Sequence, residues 1–225
     1  MLNTHPDEAS ARLLRKVIIK TSFFSNDPLR PFTVKNSLND TFVKPAIKKI
    51  LSKGGVVKAN ARLKKIIFKN NSVEKIVFNE KTKILGKNDS IILAVTPNVI
   101  SKILPRVVTP KKTNCILNIH FQLNEENKKI ILPGNSFFIG VVGGISDWIF
   151  KKKDILSITI SAANHLNKFS NKKISKIVWN DVKKTFNLDA NKIPKYKIIR
   201  EKMATFVQSP EEIFKKPKIQ TQYKN

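Results

Sequence analysis

Residues 89–104, DSIILAVTPNVISKIL, constrain the fold more than any other stretch of this chain. An uninterrupted apolar run of strand length is followed at once by a helix start. Thr96 is a capping residue, Pro97 suits the first helical turn, and Val99, Ile103 and Leu104 recur at helical spacing, which turns them inward. A strand without a polar phase predicts burial on both faces, as in a parallel sheet under helices. Such a strand running into a capped helix is where open α/β sheets bind ligands. The expected class is therefore α/β with mixed α+β character.

The stretches around it are read the same way. THPDEASARLLRKVIIKTSFF is expected to be a helix, with Thr4 as N-cap, Asp7 as its acidic partner, and Ala9, Leu13, Leu14, Val17 and Ile18 at helical spacing. SNDPLRPF breaks it, because Pro28 and Pro31 cannot continue a helix. DTFVKPAIKKILSKGG is a second helix, with Pro45 in its first turn, Ile47, Ile50 and Leu51 as the buried stripe, and Gly54 as a left-handed stop; Gly55 then admits the next strand. LKKIIF and VEKIVF share one pattern around Asn70-Asn71 and predict a hairpin, with KTKILG as a third strand. In the second half, Cys115, Leu117, Ile119 and Phe121 alternate with Asn114, Asn118, His120 and Gln122, the signature of a half-buried strand. SFFIGVVGGISDWIF reads as two strands about Gly143-Gly144, ILSITISAA as another, NKKISKIVWNDVKKTFNL as an amphipathic helix through Ile174, Ile177, Val178 and Val182, and KYKIIREKMATF as a strand. The Pro-interrupted tail from Gln208 is a connection.

Charge is the loudest compositional signal: 43 Lys+Arg stand against 16 Asp+Glu, a formal net charge of +27. It is spread through turns and strand edges, Arg is scarce and the aromatic residues are scattered. This is diffuse Lys/Asn/Ile bias rather than a nucleic-acid platform. A basic face can still hold a peripheral protein on anionic lipid. The competing reading is a non-enzymatic basic module that binds RNA or an anionic membrane. A single cysteine, Cys115, excludes an intrachain disulfide and a thiolate metal cluster, and no metal ligands are expected. A reducing cytoplasm is the expected compartment, at most peripheral to the inner face of the cytoplasmic membrane, because the N-terminus lacks an apolar leader and no apolar run spans a bilayer.

No catalytic constellation is present. His5, His120 and His165 are far apart, and His120 lies on the polar phase of its strand. HExxH, CxxC, GxSxG and Walker patterns are missing. Asp7-Glu8 and Glu211-Glu212 read as solvated helix-start acids, and Cys115 as a small core residue. No catalytic residue is assigned; a reaction here calls for a cofactor.

A helix, Gly54-Gly55, VVKANARLKKIIFKNNSVEKIVF and then NDSIILAVTPNVISKILP (Asn88 to Pro105) resemble the central signature of the flavin amine oxidase and phytoene desaturase superfamily, with Thr96 replacing a proline. LNTHPDEASA (2–11), GVVGGISDWIF (140–150), ITISAANHL (158–166) and REKMATF (200–206) are similar to the squalene-associated FAD-dependent desaturases, the hydroxysqualene dehydroxylases of hopanoid synthesis. The resemblance implies a fragment of a two-domain FAD-dependent amine-oxidase-like fold. Residues 1–39 would be a helical part of the substrate domain, 40–106 a partial FAD-binding domain, 107–206 a mixed-sheet substrate domain, and 207–225 a connection toward a C-terminal FAD segment.

The same resemblance implies an FAD-dependent oxidoreductase acting on a hydrophobic isoprenoid, by dehydroxylation of hydroxysqualene or by a related desaturation. Leu63, through its backbone, would meet the adenine, and Val95, Thr96 and Pro97 would border the dinucleotide. Phe121 and Trp148 would wall a substrate tunnel. The GxGxxG unit that opens such proteins is missing from the sequence, and the approach to their Gly-Asp-Trp segment is reached only at Thr221–Asn225. The FAD site is therefore expected to be incomplete, the chain alone inactive, and a separately encoded N-terminal FAD-binding fragment a possible partner.

Overall fold

The computed structural model describes residues 2–23, 33–34, 36–79, 81–125, 127–128, 130–189, 192–219 and 223. The predicted break at 25–32 lies outside them, as does the 221–225 approach apart from Tyr223. The chain forms two compact units, one of Met1–Ser10 with Pro110–Lys216, the other of Ala11–Thr109 with Pro217–Asn225.

The second unit carries helices α1 (Ala11–Ile18) and α2 (Lys44–Ser52), strands β1 (Leu63–Lys69), β2 (Ser72–Phe78) and β3 (Thr82–Ile84), and helix α3 (Pro97–Ile103). The strands form an antiparallel meander in the order β1-β2-β3. Its first turn is Asn70-Asn71, with φ of 49° and 64°, as the repeated pattern predicts. Gly54 stops α2 at φ +76°, and the Gly55 N–H donates to the Ile50 carbonyl at 2.9 Å. A Cβ on Gly55 would stand 2.6 Å from the Ile50 side chain, so only glycine closes the helix this way.

Four expectations fail, the first in residues 2–10 of the other unit and three in this one. Thr4 does not cap a helix: its hydroxyl donates to the Leu2 carbonyl and accepts from the Gln208 N–H, and the helix begins only at Ala11. The α2 stripe is not buried; Ile50 is 45% and Leu51 55% exposed. The chain beyond Gly55 stays irregular until Leu63. Ser90–Val95 runs without a strand partner among the described residues. Ile91 and Leu93 pack inward on the small core of Ile66, Val73 and Leu104, whereas Ile92 on the opposite side is 91% exposed. An apolar run becomes a doubly buried strand only where flanking strands and a second layer cover it; here one face alone is covered. Thr96 and Pro97 stand at the start of α3 as expected, but the Thr96 side chain makes no capping hydrogen bond; Leu104 is buried and Val99 is 38% exposed.

The first unit holds the main core. Strands β4 (Thr113–Gln122), β5 (Phe138–Gly140), β6 (Trp148–Lys152), β7 (Ile155–Ile160) and β8 (Lys195–Phe206) form an antiparallel sheet in the order β5-β6-β7-β4-β8. Helix α4 (Asn171–Phe186) starts at Ser170, whose hydroxyl accepts from the Lys173 N–H, and ends on Asn187 in the left-handed region. The alternation of β4 holds: Cys115, Leu117, Ile119 and Phe121 are fully buried, together with Ile149, Leu156 and Ile158 of the neighbouring strands and Ile174, Val178, Trp179 and Val182 of α4.

The tail is not a plain solvated connection. Ser209 caps the short helix α5 (Pro210–Phe214), which buries Glu212 completely. The reading of Glu212 as a solvated acid is therefore wrong. Its carboxylate accepts from the Lys111 N–H at 2.6 Å, the Lys112 N–H at 3.1 Å and Lys215 Nζ at 2.8 Å. These bonds, led by Lys215, hold its pKa at about 2 despite burial.

Candidate functional site

The residues expected to border a dinucleotide all lie in the second unit. Leu63 opens β1 opposite Phe78 and packs half-buried on the small core that also receives Ile91 and Leu93. Because β1 is an edge strand, its outward N–H and C=O groups have no strand partner among the described residues, and such groups can meet a ring edge. Val95 and Thr96 are exposed and Pro97 half-buried. The Thr96 carbonyl accepts from the N–H groups of Val99 at 2.9 Å and Ile100 at 3.1 Å, so it is spent on the helix. Pro97 has no N–H to offer a phosphate. These residues fit the border of an adenine-bearing group. They do not fit its pyrophosphate, which needs a run of free N–H groups that the sequence, lacking GxGxxG, does not supply. A cleft of about 520 Å³ in the same unit is lined by Lys65, Lys102, Arg106, Phe68 and Tyr223, among others, but by none of the four predicted residues.

In the first unit the two predicted substrate residues are not brought together. Phe121 pairs with Leu156 on the face covered by α4, is fully buried and lies 5.0 Å from the Trp179 ring. Trp148 pairs with Thr159, which pairs with Asn118, and so belongs to the other face. The parity that places Phe121 and Trp148 on opposite faces is invisible until strand register is known. Trp148 is half-buried and lies 5.7 Å from Phe138, whose ring stacks on Phe150 at 5.5 Å. Gly140 stands directly opposite Trp148, and a Cβ there would sit 3.4 Å from the indole.

Sequence reading missed the polar half of this face. Ser157 Oγ lies 2.8 Å from His120 Nδ1, and the Thr159 hydroxyl donates to Asn118 Oδ1 at 2.7 Å. Burial first, and the Lys197 ammonium second, pushes the His120 pKa down. The one hint in the sequence was the polar phase of β4. Also missed was the anchoring of residues 2–10. The Asn114 amide donates to the Asn3 carbonyl at 2.8 Å, Asn3 donates to the Thr205 hydroxyl at 2.8 Å, and the Ala162 N–H donates to Asn3 Oδ1 at 2.6 Å. Among the described residues no group of His, Cys, Asp or Glu can hold a metal ion, and no helix is long and apolar enough to cross a membrane.

No family model matches the chain. Curated relatives do. A hydroxysqualene dehydroxylase from Zymomonas mobilis is 31% identical over 225 residues, covering 100% of this chain and 53% of the relative. Others from Sinorhizobium fredii and Rhodopseudomonas palustris are 28% and 29% identical, again across 100% of this chain and 52% of theirs. Along its whole length, the chain resembles the hydroxysqualene dehydroxylases. It spans about half the length of the curated relatives it matches.

Solved structures agree on the fold. A protein assigned as a protoporphyrinogen oxidase from an Exiguobacterium species superposes with a TM-score of 0.57 at 13% identity, over 80% of this chain and 43% of its own. A cofactor-site double mutant of putrescine oxidase gives 0.54 at 13%, over 75% and 40%. The fold is that of these oxidases, a mixed α/β architecture, and this chain accounts for part of it.

Proposed function

We propose that this chain is part of an FAD-dependent oxidoreductase that removes the hydroxyl group of hydroxysqualene, a squalene-type isoprenoid. The observation that carries the proposal is the similarity to three hydroxysqualene dehydroxylases across the full 225 residues. Desaturation of a related isoprenoid is the neighbouring reaction on the same reading. The second unit would belong to the FAD-binding domain, with the Leu63 backbone beside the adenine and Val95, Thr96 and Pro97 at the dinucleotide border. The first unit would hold the oily substrate and exclude water. A reduced flavin supplies hydride to carbon in such a reaction, and the hydroxyl leaves with a proton as water.

The phosphate cradle would come from polypeptide corresponding to the half of the relatives that this chain does not span, and a separately encoded FAD-binding fragment is one form it would take. An oily substrate and a charge of +27 favour work at the inner face of the cytoplasmic membrane. The test is to purify the chain alone and together with the remaining half of the Zymomonas mobilis relative, then look for flavin absorbance and for squalene formed from hydroxysqualene. Flavin and turnover should appear in the combined preparation only. Two folded partners that yield neither would refute the reading.

A further inference from the structure

The sheet face turned away from α4 is unlike a solvated surface of this protein. Lys and Arg make up 43 of 225 residues, yet two adjacent rows across β6, β7 and β4 carry no charged side chain: Trp148, Thr159 and Asn118, then Phe150, Ser157 and His120. Asn118, His120, Ser157 and Thr159 are all half-buried and pair with one another as described, so the strip is preorganised. At its β5-β6 end lies the Phe138, Trp148 and Phe150 cluster. The indole lies against the neighbouring strand at Gly140. The face therefore offers an aromatic hydrocarbon surface beside a short row of neutral hydrogen-bonding groups, which Lys197 of β8 closes beside His120.

Resting on the function proposed above, we propose that this face is the floor on which the isoprenoid alcohol lies, with His120 hydrogen-bonding its hydroxyl and Trp148 and Phe150 receiving its hydrocarbon chain. Ser157 engages Nδ1 and leaves Nε2 for the ligand. With Nδ1 engaged by Ser157, the imidazole presents Nε2 alone, a donor or an acceptor according to tautomer, and an alcohol can meet either. An aromatic wall with a few convergent polar groups is the usual make-up of a small-molecule site. Ser157 is a positioning residue, acting through His120.

The test uses the full chain carrying Trp179→Phe, which leaves Trp148 as the sole tryptophan and removes an indole N–H that has no hydrogen-bond partner. Squalene and hydroxysqualene are titrated separately in neutral detergent micelles while Trp148 fluorescence is read. Both should shift the emission, with hydroxysqualene bound about fivefold more tightly, the worth of one neutral hydrogen bond. His120→Phe and Ser157→Ala should bring the ratio to about one with squalene affinity unchanged, and their urea midpoints should match the parent. A Trp148 signal that responds to neither lipid, or a preference that survives both substitutions, overturns the floor. Flavin binding and turnover in the combined preparation would then still stand, which separates failure of this site from failure of the function.

Discussion

Glu212→Gln probes the most strongly perturbed carboxyl group in the first unit. The Glu212 carboxyl titrates at about 2 instead of its ordinary 4.5 because Lys215 and the N–H groups of Lys111 and Lys112 favour the ionised form. Each pH unit of that displacement corresponds to about 1.4 kcal/mol, so the ionised carboxylate contributes on the order of 3 kcal/mol to folding. The sign follows from the depressed value. The contribution is complete above pH 4.5, the unfolded value, and is lost as pH falls toward about 2. A glutamine keeps one carbonyl oxygen for the Lys111 and Lys112 donors but loses the charge that Lys215 needs. Both tryptophans lie in this unit, so urea unfolding followed by fluorescence reports on it directly. Glu212→Gln should cost about 2–3 kcal/mol at pH 7, with the deficit shrinking as the pH approaches 2. A deficit of equal size at pH 3 and pH 7, or none at pH 7, would refute the electrostatic account. Lys215→Met should show the same pH signature.

Gly144→Ala should destabilise the β5–β6 turn by about 2 kcal/mol or more. Its Cβ would stand 2.5 Å from an Asp181 carboxylate oxygen, and the other oxygen accepts from the Ser146 N–H at 2.8 Å. Urea unfolding checks this, and Asp181→Ala in the same chain should relieve the clash without restoring the lost hydrogen bond. Cys115 is fully buried, and burial is the main cause that pushes its thiol pKa up. A thiol reagent at pH 8 should therefore modify the native chain far more slowly than the urea-unfolded chain; equal rates would place the thiol at the surface.

The first unit was largely legible because its periodicities are enforced locally. The period-two run through Cys115, Leu117, Ile119 and Phe121 and the helical stripe through Ile174, Val178 and Val182 each meet a partner within the chain. The second unit was less legible for the opposite reason. Ile50, Leu51 and Ile92 carry the pattern of buried residues, but a pattern states what needs covering and not whether the cover is present. Polar anchoring escaped altogether, since the Asn3 side chain accepts from the Ala162 N–H and Glu212 from the Lys111 N–H, each more than 100 residues away. For the site, Phe121 and Trp148 were read alike from residue type, and only strand register separates them, Phe121 onto the face covered by α4 and Trp148 onto the opposite one.

The run Ser90–Val95 has a further consequence in solution. Its backbone has no strand partner among the described residues and Ile92 projects outward, so it is a template on which another extended segment can pair. Colloidal repulsion opposes that encounter, and a chain of net charge +27 has plenty of it. Repulsion is long-range and screened by salt within about 8 Å at physiological ionic strength, while strand pairing acts at contact. Ionic strength thus sets the balance between dispersed chains and self-association, and the lysine bias that says little about ligands does much to keep this open segment apart from its own copies.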